Sequence, residues 1–435
     1  MSSSSGNDHA GMFSPGSAPE SKPNSDQKPT EVYRPRLFSS LIIALSYVLD
    51  VQEDPHLYHG WRVAAVATTM AQQLMEEQVG DVFFASLLHD IGVMGLFSHI
   101  VHYPIRHSQE ITPEVVAHPH HGAEIVRSIP GLELAAEFVA DHHEWWDGNG
   151  YPSGKSGEEI PLGAQLIRVA DTVDINRRFQ PGLPEQAIEL AKLFANIEVS
   201  PDVAEAFESV VSQGKFHQEL TDETKLLGLI HKIEAGLTLP IFRPCSDVTG
   251  TILTIFARIV DSKHGFTSGH SERVAIYAIN LAKTLELPHD EITKVRFAGL
   301  LHDVGKVSVP ASIIDKPGPL DSKELFQIKH YPILTMSIIG DIAYLSELAW
   351  TAGHHHEHWD GTGYPDGLLG DEIPLLSRIL AVANAMDAIT SPRAYRPAKR
   401  VDEALVIIRQ AAGTQFDPQV VDAAYKVWQA GPLAV

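Results

Sequence analysis

Apolar residues recur at intervals of three and four along most of the chain. The segments LFSSLIIALSYVLDV (37–51), QAIELAKLFANI (186–197), VAIYAINLAKTLEL (274–287) and EALVIIRQAA (403–412) all show this spacing. It lays one apolar stripe along a helix of 3.6 residues per turn. The strict alternation of a half-buried strand is scarce, so the pattern predicts an all-α chain. Two stretches, DGNGYPSGKSGEEIP and DGTGYPDGLLGDEIP, are dense in Gly and Pro and read as loops, as do the segments after His89-Asp90 and His302-Asp303.

Residues 1–30 are polar, rich in Ser and Pro and poor in apolar positions, which predicts a disordered tail. A second break falls at LPIFRPCSDVTG (239–250). The chain therefore divides into two helical bundle domains, residues 31–240 and 250–435. These halves repeat each other: 213 residues separate His89 from His302, His142 from His355 and Gly150 from Gly363. His59 of HGWRVA and His270 of HSERVA stand 211 apart, so only a small indel intervenes. A constant offset over separate motifs is the signature of duplication.

Composition narrows the picture further. A chain of 435 residues suits two domains, because single cores stop growing near ~250–300 residues. With 44% hydrophobic and 20% charged residues it can bury an ordinary globular core. No run approaches the ~18 apolar residues of a membrane span, and no secretory signal pattern opens the sequence, so a cytoplasmic location is expected. The single cysteine, Cys245, excludes a disulfide framework and a thiolate metal cluster. The formal charge of −22 argues against polymeric nucleic acid as a partner, since that binding requires many Lys and Arg on phosphates. An anionic substrate fits only a pocket whose charge is inverted by metal ions.

The 23 histidines are the chemical anomaly, and they cluster. In the first half, His59, His89, Asp90, His118, His142, His143 and Asp171 form a set of imidazoles with two carboxylates. Such a nitrogen/oxygen set suits Fe, Mn, Zn or Ni and is too nitrogen-rich for a simple Mg or Ca site. Seven ligands exceed the needs of one tetrahedral ion, and the adjacent His-Asp pair suggests two ions with the aspartate bridging. Two metals about 3.5–4 Å apart can activate a water and stabilise both oxygens of an in-line phosphoryl displacement. In the second half the weaker counterparts are His270, His302, Asp303, His355 and His356.

LLHDIG and LLHDVGK, the HPHHG segment, and the strings HHEWWDGNGYP and HHEHWDGTGYP resemble the HD-GYP domain, a subgroup of the HD superfamily of metal-dependent phosphohydrolases. The resemblance covers nearly all of residues 31–435. It implies hydrolysis of cyclic di-GMP or a related cyclic dinucleotide at a centre of iron or manganese ions, two per complete site. It also implies His89, Asp90 and Lys306 as catalytic residues. Substrate contacts would fall to Gly150, Tyr151, Pro152, Gly363, Tyr364, Pro365, Arg393 and Arg396, and the GYP surface could dock a signalling protein.

Each copy departs from the family's pattern. The family's third-motif histidine lies 29 residues after that of the His-Asp pair and precedes a proline. His118-Pro119 meets this in the first copy, but Tyr331-Pro332 stands there in the second. The neighbouring His330 is turned away by roughly 100° on a helix. Asn384 replaces the family's last aspartate, which the first copy keeps as Asp171. Conversely, the first copy carries Val93 opposite Lys306, and Gln180 and Leu183 opposite Arg393 and Arg396, with Arg177 and Arg178 as a nearby basic pair. Pro55 and Phe266 occupy a position where a glutamate would hold a third ion. The expectation is a phosphodiesterase whose di-metal site lies in the first copy. Its rivals are a degenerate protein that senses a cyclic dinucleotide or docks a partner, and an HD phosphohydrolase with another substrate.

Overall fold

The computed structural model describes residues 33–51, 58–93, 113–179, 184–238, 247–262, 269–314, 316, 318–342, 344–392 and 397–429. Among them the structure is helical, with isolated β-bridges in place of a sheet. The first set of helices is α1 (Tyr33–Val51), α2 (His59–Leu74), α3 (Val79–Leu88), α4 (Pro113–Arg127), α5 (Glu133–Asp141), α6 (Leu162–Phe179), α7 (Pro184–Phe194), α8 (Pro201–Val211), α9 (Gly214–Thr221) and α10 (Glu223–Gly236). The second set is α11 (Val248–Ser262), α12 (His270–Thr284), α13 (His289–Leu301), α14 (Ala311–Ile314), α15 (Ser322–Gly340), α16 (Ser346–Gly353), α17 (Leu375–Thr390), α18 (Val401–Gln410) and α19 (Pro418–Gln429). The tail expected over residues 1–30 lies outside the described residues, as do Cys245, Arg393 and Arg396.

The helix boundaries follow local chemistry. Ser200 caps α8 by accepting from the Val203 amide, with Pro201 in the first turn where no partner for its missing N–H is needed. Asp321 and Glu324 form a reciprocal box at the start of α15. The apolar stripes meet in one continuous cluster that spans both sets, from Phe38 to Val427. Phe83 and Phe84 of α3 lie wholly within it, and burying each such side chain contributes about 1.5–3 kcal/mol.

The two sets meet through α1, which packs against α11 and against the short turn Val304–Ser308. Those two helices also do matching work inside their own sets. Asp50 of α1 accepts from the Gly60 amide at 3.2 Å, and Asp261 of α11 accepts from the Ser271 amide at 2.9 Å. Each carboxylate thus satisfies an orphan donor at the start of α2 or α12, next to that helix's first histidine.

Candidate metal centres

Five segments of the first set bring their polar side chains to one buried point. His59 opens α2, His89 and Asp90 follow the end of α3, His118 lies within α4, His142 and His143 follow α5, and Asp171 projects from α6. Gly92 lets α4 come close, because a Cβ there would sit 2.0 Å from the His118 carbonyl oxygen. Pro119 lies inside α4 and has no N–H for the Val115 carbonyl four residues back. The ring of His118 takes that carbonyl instead, donating from Nδ1 at 2.6 Å.

The resulting cluster is dense in acceptors. Nε2 of His89 lies 3.1 Å from Asp90 and 3.9 Å from Asp171, and Nε2 of His59 lies 3.3 Å from Asp171. Oδ1 of Asp90 lies 3.5 Å from His118 and 3.7 Å from His142, so this carboxylate reaches both groups of imidazoles. His89, His118 and His142 donate from Nδ1 to the carbonyls of Ser86, Val115 and Val139, while His59 donates to Asp174 at 2.8 Å. Each ring therefore points its Nε2 into the cluster, where it would offer a lone pair to a cation in place of a proton. Arg62 in turn holds Asp174 at 2.7 Å.

His143 differs. Its Nδ1 lies 2.8 Å from Nη1 of Arg168, and a guanidinium only donates. Neutral His143 therefore accepts at Nδ1 and carries its proton on Nε2, the opposite tautomer from its neighbours. Burial, then His142, His118 and Arg168, push its pKa well below the usual range.

The electrostatics are those of tightly coupled buried charges. Burial disfavours a proton on His89, yet Asp90 and then Asp171 lift its pKa to about 10. Burial raises Asp171, but His59 and His89 outweigh it and bring the carboxyl to about 2. Nε2 of His89 and both oxygens of Asp171 are buried without a hydrogen bond among the described residues. Buried acceptors are normally satisfied, and divalent cations would satisfy these, so the residues fit a metal centre. Two groups have ligand atoms within 4.8 Å of one another: Asp90, His118, His142 and His143, and His59, His89 and Asp171.

In the second set His270, His302 and Asp303 converge in the same way. The remainder is filled by protein. The Tyr331 hydroxyl donates to Asp303 at 2.8 Å and lies 3.1 Å and 2.6 Å from Nε2 of His355 and His356. Lys306 pairs with the other oxygen of Asp303. Burial, then Lys306, brings His356 down to about 3. Asn384 lines a cavity of about 430 Å³ together with Lys306, His355, His356, Ala381 and Gln415. His330 does not join the cluster; its ring donates to the Phe326 carbonyl on the exposed side of α15.

The GYP loops sit on the imidazoles. Tyr151 stacks on His143 at 4.7 Å between ring centroids, and Tyr364 on His356 at 4.8 Å. Gly150 and Gly363 permit this approach, since a Cβ at either would lie 2.2 Å from a backbone amide nitrogen. The carboxylates of Glu144 and Glu357 hold the loops: Glu144 accepts from the Ser153 and Lys155 amides, and Glu357 from those of Asp366, Gly367 and Leu368. The side chains of Arg177 and Arg178, and the whole of Pro55, Gln180, Leu183 and Phe266, lie outside the described residues.

Two spans of the chain, residues 43–190 and 254–420, match the HD domain family. The chain belongs to that family. Its two HD domains carry the HD-GYP strings, and divalent metal dependence follows from the family. Over 302 residues the chain is 35% identical to the 3'3'-cGAMP-specific phosphodiesterase 3 of Vibrio cholerae serotype O1, covering 68% of this chain and 64% of that protein. Over 394 residues it is 29% identical to phosphodiesterase 1 of the same organism, covering 87% and 89%. A crystal structure of the cyclic GMP-AMP specific phosphodiesterase V-cGAP3 of V. cholerae superposes with a TM-score of 0.63 at 26% identity, over 91% of this chain and 98% of that one. Among the described residues no helix is long and apolar enough to cross a membrane.

Proposed function

We propose that the chain is a metal-dependent phosphodiesterase of a cyclic dinucleotide, cyclic di-GMP or 3'3'-cGAMP, and that hydrolysis belongs to the first HD domain. One observation carries the assignment: that domain keeps a buried cluster of imidazoles and carboxylates in which Nε2 of His89 and both oxygens of Asp171 make no hydrogen bond among the described residues. The relatives named for 3'3'-cGAMP supply the substrate class.

His59, His89, Asp90, His118, His142 and Asp171 would hold two ions, with Asp90 shared. The imidazole-rich set favours iron or manganese over magnesium or calcium. Bound there, such ions supply Lewis acidity toward the phosphodiester and the attacking water. The residues around them orient the ligands: three backbone carbonyls and Asp174 fix the ring tautomers, and the stacked Tyr151 covers the cluster. Metal content of the full chain, measured beside hydrolysis of both dinucleotides, tests the proposal. About two ions per chain and turnover lost on chelation are expected; a metal-loaded chain that cleaves neither dinucleotide overturns it.

A degenerate second HD domain is the companion reading, favoured by the phenol of Tyr331 within the cluster of Asp303, His355 and His356.

A further inference from the structure

Arg168 has no counterpart in the second HD domain, where Ala381 stands 213 residues further on. Its surroundings do have counterparts. Arg168 touches His143 at 2.8 Å, Glu198 at 2.8 Å and Asp171 at 3.5 Å, and its guanidinium lies over the Trp145 ring. The same offset leads from His143, Asp171 and Trp145 to His356, Asn384 and His358.

Glu198 corresponds to Gln415, 217 residues on, and the backbone confirms the match. The amides of Trp146 and Asp147 donate to the carbonyls of Glu198 and Ile197, as those of Trp359 and Asp360 donate to Gln415 and Thr414. Both turns also close with a parallel bridge, Ala195 to Val199 and Ala412 to Phe416. Even Thr172, which donates to Glu198 at 3.2 Å, has its match in Ala385.

His356, His358, Ala381, Asn384, Ala385 and Gln415 all line the 430 Å³ cavity of the second domain. Every group that Arg168 touches in the first domain is thus the counterpart of a cavity wall in the second, so the guanidinium stands where the second domain has open volume. We propose that the Arg168–Glu198 pair is a plug that opens the first domain's centre to nucleotide only when the guanidinium withdraws, so that the resting chain holds its cyclic dinucleotide in the second domain's cavity while the first domain turns it over slowly. The dinucleotide class rests on the function proposed above.

The chemistry supports a plug rather than a phosphate contact. The guanidinium is already engaged by Glu198, Asp171 and His143, and its side chain is 11% exposed. A buried Arg stays buried only while its partners neutralise it. Its withdrawal would open the volume and release Nδ1 of His143 together, allowing the ring to take the tautomer of its neighbours.

A reciprocal swap tests this in the full, metal-loaded chain. Arg168→Ala with Glu198→Gln gives the first domain the second domain's pair and leaves no unpaired buried charge. Ala381→Arg with Gln415→Glu does the reverse, and Ala381→Leu is the uncharged substitute should that pair fail to fold. Binding is counted by calorimetric titration with the bisphosphorothioate analogue of cyclic di-GMP, which resists hydrolysis. The expected stoichiometries are one analogue per chain for the wild type, two for the first swap and none once the second cavity is filled. A wild type that already takes two, or swaps that leave its stoichiometry unchanged, overturns the plug. Hydrolysis of cyclic di-GMP is followed in parallel and should rise at least tenfold in kcat/KM on the first swap. A second analogue bound with no turnover in any variant upholds the plug and removes the phosphodiesterase reading instead.

Discussion

Just before the proline inside its helix, the first HD domain carries His118 and the second carries Tyr331, both fully buried. The two side chains reach the same neighbours, one toward Asp90 and His142, the other toward Asp303, His355 and His356. An imidazole adds another lone pair to a site already crowded with them. A phenol brings a proton, and Lys306 adds a positive charge on the other oxygen of Asp303. Burying a carboxylate among imidazoles requires compensation. The second domain obtains part of it from its own hydroxyl and ammonium groups; in the proposal above, the first obtains it from ions.

That contrast breaks most directly at the aspartates of the two His-Asp pairs. Asp90→Ala removes the ligand shared by both groups of imidazoles, and hydrolysis should fall below detection with metal content near zero. Asp303→Ala should leave turnover and metal content close to wild type. A dead Asp303→Ala enzyme beside an active Asp90→Ala enzyme would place catalysis in the other domain.

The contrast can also be reversed. Tyr331→His together with Asn384→Asp gives the second domain the first domain's ligand types. Elemental analysis should then find about four ions per chain in place of about two, two for each complete site. No gain in metal would show that Lys306, rather than the two substituted ligands, keeps ions out.

A smaller effect is expected one layer further out. Asp174→Asn weakens the bond that fixes the His59 ring, and metal affinity should drop ~10–100-fold, the usual consequence of losing such a partner. Asp387 makes the equivalent bond to His270 at 2.6 Å, so Asp387→Asn should alter stability while metal content, read by elemental analysis, stays constant.

These residues divide by how visible they are in sequence. The helices were legible because apolar spacing states them, and the repeat because one offset links its motifs. The convergence of His59, His89, Asp90 and Asp171 was legible too, since histidines are costly to bury without purpose. Asp174 lies one turn beyond Asp171 and declares itself only when the helix is folded against His59. Arg168 and Glu198 belong to no motif. Their meaning comes from Ala381 and Gln415, and the offset shifts from 213 to 217 between the two positions, hiding the pair from a search at a single offset. Glu144 and Glu357 were visible within the HHE strings, but only the loop amides around them reveal what they do.

Those two glutamates give the finest test, because here the domains should agree. Glu144 accepts from Ser153 at 2.6 Å and Lys155 at 2.9 Å; Glu357 accepts from Asp366 at 2.7 Å, Gly367 at 3.0 Å and Leu368 at 3.1 Å. None of these five bonds depends on an ion, and both carboxylates hold a loop that stacks a tyrosine on an imidazole. Glutamine keeps one acceptor and turns an NH2 group toward an amide that itself donates, so each substitution loses a charge-assisted bond. Glu144→Gln and Glu357→Gln should each cost about 1–2 kcal/mol, lowering the melting temperature of the affected domain by roughly 2–8 °C. Metal content should not change in either. Ions lost on Glu144→Gln but retained on Glu357→Gln would make Glu144 a ligand, and the resemblance between the two loops would then conceal a further difference between the domains.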